Sequence, residues 1–175
     1  MRNPSSVRDN EWRISLVKAY RQTVSEWLHL VGERQGVALS LGGDGHCTVP
    51  FGQGGECIVE VPDNDDVQAF YLYIPLLRLP VDESGQLMLT RAALELNMFG
   101  LTTGGSQISL DSRTNYLVLS FSALIEMFDE TTFMQTLGEF LDLGVSLQAQ
   151  FQVINTQQNG ASSALHPLPG SAIVC

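Results

Sequence analysis

Three cysteines and three histidines are the residues of this 175-residue sequence best suited to nucleophilic or metal chemistry. His46 and Cys47 are neighbours, but they lie in an alternating segment, and adjacent strand residues point to opposite faces. They therefore cannot share a proton as a thiolate–imidazole couple must. His29, His46, His166, Cys47, Cys57 and Cys175 form no C-x-x-C or H-x-x-x-H pair, so zinc would need long-range assembly. Asp63, Asp65 and Asp66 resemble the start of a calcium loop. Counting from Asp63, however, the sixth and twelfth places hold Gln68 and Ile74 instead of glycine and glutamate. Gly54-Gly55 and Gly104-Gly105 lack the flanking residues of a phosphate cradle and read as turns. Glu95 and Asp111, the acids in the most apolar surroundings, fit a helix surface and a turn. No catalytic residue, metal site or cofactor is expected.

The charge is informative. Nineteen acids against nine bases give a net charge of -10, Lys18 is the only lysine, and no Lys or Arg follows Arg113. Such a surface repels phosphate backbones and anionic membranes, which excludes nucleic acid and lipid as expected partners. A basic or amphipathic protein segment fits better. Met1–Asn10 has no apolar core of a secretory signal. No stretch reaches the roughly 18 apolar residues of a membrane span. An odd number of cysteines without framework spacing suits a reducing cytoplasm.

The elements expected around these residues alternate between two periods. From about Arg8 to Gln35, Leu16, Val17, Tyr20, Val24, Trp27, Leu28 and Val31 recur at helical spacing, and Gly36 stops the helix. His46–Phe51 and Glu56–Pro62 alternate as strands, joined by a glycine-rich turn, with an acidic turn at residues 63–66. Ala69–Leu77 is apolar on both faces: Phe70, Leu72, Ile74 and Leu76 on one, Tyr71, Tyr73 and Leu77 on the other. Such a strand is expected to be covered twice. Leu87–Met98 reads as a second helix, apolar around most of its circumference, as a helix buried between two bodies would be. Ser106–Asp111 and Tyr116–Ala123 form a hairpin with Leu117, Leu119 and Phe121 inward. Asp129 caps a last helix running to about Gln150. Beyond Gln152, charge and periodicity are lost. The expectation is one domain over residues 1–151 and a flexible tail over 152–175.

The order α-β-β-β-α-β-β-α predicts an α+β domain with helices packed on a twisted antiparallel sheet. The two-faced strand and the all-round apolar helix exceed what one sheet and two long helices can hide. Two arrangements would account for that surplus: a thick monomeric core, or a homodimer centred on the second helix together with an exposed groove for a peptide.

Several segments, in this order, resemble the class I type III secretion chaperones, also called the Tir chaperone family. They are Leu41-Gly42-Gly43-Asp44-Gly45-His46-Cys47 after the first helix and Ile74-Pro75-Leu76-Leu77-Arg78-Leu79-Pro80 at the end of the third strand. They continue with Leu94-Glu95-Leu96-Asn97-Met98-Phe99, Thr103-Gly104-Gly105 leading to Leu110-Asp111, and Asp129 to Phe133 followed by Leu137-Gly138-Glu139-Phe140-Leu141. The resemblance covers about Arg8 to Phe151. Departures are Leu96-Asn97 where the family more often has Ala-Asn, the residues Gln107, Ile108 and Ser109 in the fourth strand, and a longer neutral tail.

The resemblance implies a bacterial cytoplasmic homodimer without enzymatic activity or cofactor. It would hold the N-terminal chaperone-binding segment of a secreted effector in a soluble, secretion-competent form, with the export ATPase as a further partner. The dimer contacts expected are Leu87, Leu89, Ala93, Leu94, Leu96 and Met98 on the second helix, with Ile108. The effector contacts expected are Trp27, Leu28, Val31, Val49, Phe51, Val59, Tyr71, Tyr73, Leu117 and Leu119. The alternative is a related cytoplasmic module that regulates or inhibits a non-secreted protein.

Overall fold

A computed structural model describes residues 4–63, 68–100 and 104–163. Helix α1 spans Pro4–Gln35, followed by β1 (His46–Phe51), β2 (Gly55–Glu60) and β3 (Ala69–Arg78). Helix α2 is Glu83–Asn97, then come β4 (Gln107–Asp111), β5 (Tyr116–Leu124) and α3 (Glu130–Ser163). The α+β order is the one the periodicities predict. The five strands form one antiparallel sheet in the order β1-β2-β3-β5-β4.

The pleat divides the sheet into two unlike faces. Cys47, Val49, Cys57, Val59, Phe70, Leu72, Ile74, Leu117, Leu119 and Ile108 face inward and are buried. Helices α1 and α3 close this side. Phe70 is its centre, with edge-on rings of Phe128 at 5.0 Å and Phe133 at 5.3 Å, and Trp27 of α1 reaches Phe133 at 5.2 Å. A Cβ on Gly144 of α3 would stand 2.5 Å from Ile74 Cδ1, so the glycine is what lets α3 lie close on β3.

The other face explains why β3 looks apolar on both sides. Tyr71 and Tyr73 stack on each other there, with ring centroids 6.2 Å apart and planes 6° apart, and both remain half-buried. A register shift between Pro75 and Leu77 then changes the phase of the strand, pairing Leu77 with Leu117 and burying Leu76, Leu77 and Leu79. Part of the second apolar face is thus turned inward by a bulge. The rest is left half-buried by the protomer itself.

Both long helices outrun their expected limits. Helix α1 begins at Pro4, a residue suited to a first helical position because its missing N–H has no intrahelical partner to lose. Helix α3 is capped as expected, with Asp129 Oδ1 accepting from the Thr132 amide at 2.8 Å. It continues through Ser163 into the stretch read as a flexible tail. Leu147, Phe151 and Ile154 prolong the apolar stripe, with Phe151 fully buried and Ile154 packed against the core. The tail expected from residue 152 is therefore helical as far as Ser163. Residues 164–175, residues 64–67, which take in most of the expected acidic turn, and residues 101–103 lie outside the described residues.

Candidate functional site

Of the cysteines and histidines suited to chemistry, His166 and Cys175 lie outside the described residues. Cys47 and Cys57 are buried free thiols on the covered face. Burial pushes the Cys47 thiol up, and the Cys57 thiol up to about 12, far from a thiolate at neutral pH. His46 projects from the open face, with Nδ1 3.5 Å from Asp44 Oδ2 and Nε2 3.6 Å from Glu60 Oε1. Burial, then the neighbouring Glu60 carboxylate, raises the Tyr73 hydroxyl to about 12. Among the described residues no group of three or more His, Cys, Asp and Glu is placed to hold a metal. No helix among them is long and apolar enough to cross a membrane.

Among the described residues, three exposed surfaces with apolar residues concern partner binding. The first is the outer side of α2. Gly85, Leu89 and Ala93 turn into the protomer's own core, while Leu87 (70% exposed), Leu94 (70%) and Met98 (62%) form a stripe on the opposite side. Arg91 and Glu95, paired at 2.9 Å, lie along it. Of the expected dimer contacts, Leu87, Leu94 and Met98 are available to a partner and Leu96 is half-buried. Leu89, Ala93 and Ile108 are used internally, because the helix needs one face to pack on its own sheet.

The second is the open sheet face, where Ile58, Tyr73, Pro75, Leu110, Tyr116 and Val118 line a trough of about 750 Å³. The third is a groove between the end of α1, the middle of α3 and the β1–β2 hairpin. It has two lobes, of about 140 and 640 Å³, that share Gln35, Gly138 and Leu141. Val31, Arg34, Met134 and Leu137 complete the smaller lobe; Val37, Pro50, Phe51, Asp142 and Val145 are in the larger.

The expected effector contacts fare unevenly. Phe51 borders the third groove, and Tyr73 the trough. Tyr71 stacks beside Tyr73 and lines a smaller depression with Gln107 and Ser122. Val31 lines the small lobe although its side chain is nearly buried. Trp27, Leu28, Val49, Val59, Leu117 and Leu119 are core residues, buried in the protomer's own hydrophobic cluster. Gly138, Val145, Pro75 and Val118 were missed. An exposed glycine in a helix and single apolar residues on polar faces give no periodic signal.

The sheet edges are partly sealed. The Val61 amide bonds the Gly45 carbonyl at 2.9 Å, so the alternation turns the backbone groups of His46 and Thr48 away from β2. Those of His46 are taken by Gly42 N–H at 2.7 Å and Asp44 Oδ1 at 3.2 Å. At the other edge the Asn97 side chain accepts from the Ile108 amide and donates to its carbonyl, both at 2.9 Å. Thr48 on β1 and Leu110 on β4 are the outward positions left for strand addition within the described strands.

A family model described as the Tir chaperone protein (CesT) family matches residues 26–148. No curated protein matches the sequence. Among solved structures, a chain of the ExsC–ExsE complex superposes with a TM-score of 0.61 at 18% identity, covering 74% of this chain and 93% of that one. A chain of the HopA1–SchA chaperone–effector complex gives 0.53 at 13% identity, with coverages of 74% and 93%. The Yersinia pestis type III secretion chaperone SycH, solved with a stable fragment of YscM2, gives 0.50 at 18%, with 70% and 98%. At these identities the likenesses speak for the fold.

Proposed function

The chain belongs to the Tir chaperone protein (CesT) family, and from that premise we propose that it binds the N-terminal segment of a type III secreted effector and keeps it secretion-competent. The observation that carries this reading is apolar concave surface that the protein's own core leaves unfilled, in the α1–α3–hairpin groove and the trough on the open sheet face. Surfaces of this kind, rimmed by polar residues, receive chain segments. The structures of similar fold include a chaperone–effector complex and a secretion chaperone holding a fragment of another protein.

The physical mechanism is sequestration. An unfolded client exposes apolar side chains that would otherwise drive aggregation. The grooves take these while the client backbone stays extended, with Thr48 or Leu110 available for strand addition. Ordering that segment consumes part of the gain from burial, which keeps a large contact releasable. A net charge of -10 keeps the loaded protein in solution. None of these steps uses bond chemistry, a metal or a cofactor. The protein acts in the bacterial cytoplasm as a homodimer. The Leu87–Leu94–Met98 stripe of each copy covers that of the other, and the export ATPase receives the loaded complex.

Deleting the gene tests the reading. One secreted protein should disappear from the medium, and return with a plasmid copy, while the other secreted proteins continue to be exported. An unchanged set of secreted proteins would contradict it.

A further inference from the structure

Three helix glycines differ in what surrounds them. A Cβ on Gly32 would run into the Val37 carbonyl oxygen and one on Gly144 into Ile74, so packing within the chain accounts for both. Around Gly138 a Cβ would meet nothing within 4 Å. Glycine in a helix interior is unfavourable relative to alanine, and at this position no internal contact requires it. Gly138 is also the floor shared by the two lobes of the α1–α3–hairpin groove. Arg34 stands in one lobe and Asp142 in the other, and neither has an ion-pair or hydrogen-bond partner among the described residues.

We propose that Gly138 is the specificity-determining floor of the client groove. It admits one large apolar client side chain onto the bare helix backbone, with a client acid on the Arg34 side and a client base on the Asp142 side. This rests on the chaperone reading and deepens it. The occupant is a client segment, because a two-fold dimer cannot fill a concavity with the same concavity of its mate. The unpaired charges of opposite sign on its walls ask for a convex segment bearing the complementary pair. The exposed stripe on α2 is the surface that a second copy fits.

The probe is the N-terminal segment of the secreted protein that co-purifies with the wild-type chain, titrated against wild type, Gly138→Phe, Gly138→Ala and Arg34→Glu. Filling the floor excludes one large apolar side chain, so Gly138→Phe should weaken binding roughly 10- to 100-fold. Its melting temperature should stay at the wild-type value, since the new ring enters open space. Gly138→Ala should melt no lower than wild type, and Arg34→Glu should weaken binding without altering the fold. Wild-type affinity in both Gly138→Phe and Arg34→Glu overturns the proposal while the chaperone reading stands. Absence of any secreted protein with the wild-type chain overturns both. If deleting residues 164–175 abolishes the difference between Gly138→Phe and wild type, the occupant is the chain's own end, which also overturns the proposal.

Discussion

At Gly144 a methyl group would stand 2.5 Å from Ile74 Cδ1, in a core already closed by Phe70 and Phe133. Gly144→Ala should cost about 1–3 kcal/mol in a denaturant titration, the usual penalty for overpacking. Asp129 makes a different prediction. The Thr132 amide, and then its hydroxyl, hold the Asp129 carboxyl below its ordinary value of 3.8. The Thr114 hydroxyl and the Arg113 amide do the same at Asp111. A carboxyl whose folded pKa is depressed contributes stability that is fully present above its unfolded value and is lost as pH falls through the folded one. The melting temperature should therefore drop below pH 3.8, and Asp129→Asn should make that drop shallower. Little of this was legible in advance. The Asp129 cap was, because an acid before an apolar-periodic run has one obvious use. The vacancy at Gly138 was not, since a glycine in sequence does not say what faces it.

The elements show where periodicity suffices and where it fails. Strands β1, β2 and β5 fall where alternation predicts them, with Leu117 and Leu119 of β5 buried as expected. The bulge between Pro75 and Leu77 is set by pairing with β5, so β3 looked two-faced when read alone. The end of α3 was misplaced because the Asn/Gln/Gly-rich stretch beyond Gln152 outweighed the stripe Leu147, Phe151, Ile154. Truncation from Asn155 onward should leave the melting temperature within a few degrees of the full chain, since both buried anchors remain. Asn97 binds α2 to the edge of β4 through two hydrogen bonds to Ile108. Asn97→Ala should destabilise the fold by roughly 2 kcal/mol, at about 1 kcal/mol per bond. Hydrogen exchange at the Ile108 amide should accelerate in the same variant, and wild-type exchange there would show that the clamp is not the protecting group.

For the whole molecule, the apolar surplus was legible in the pattern of the third strand and second helix, and the family in the order of its short motifs. Which of those residues face outward was not. Trp27, Leu28, Val49, Val59, Leu89, Ala93, Ile108, Leu117 and Leu119, all expected at partner surfaces, are buried in the protomer's own core, while Leu87, Leu94 and Met98 of the same set are exposed. Leu94, 70% exposed in the protomer, offers the sharpest test of the proposed dimer. Leu94→Asp should leave the monomer folded and halve the solution mass, because pairing the helices would bury an uncompensated carboxylate. The central claim, that this acidic fold exists to hold a secreted chain, is tested most directly by the native mass of what co-purifies with the tagged protein. Two copies of this chain with one secreted protein, released when that protein's N-terminal segment is removed, is the result expected. A homodimer bound to a resident cytoplasmic protein, or to nothing, would contradict it.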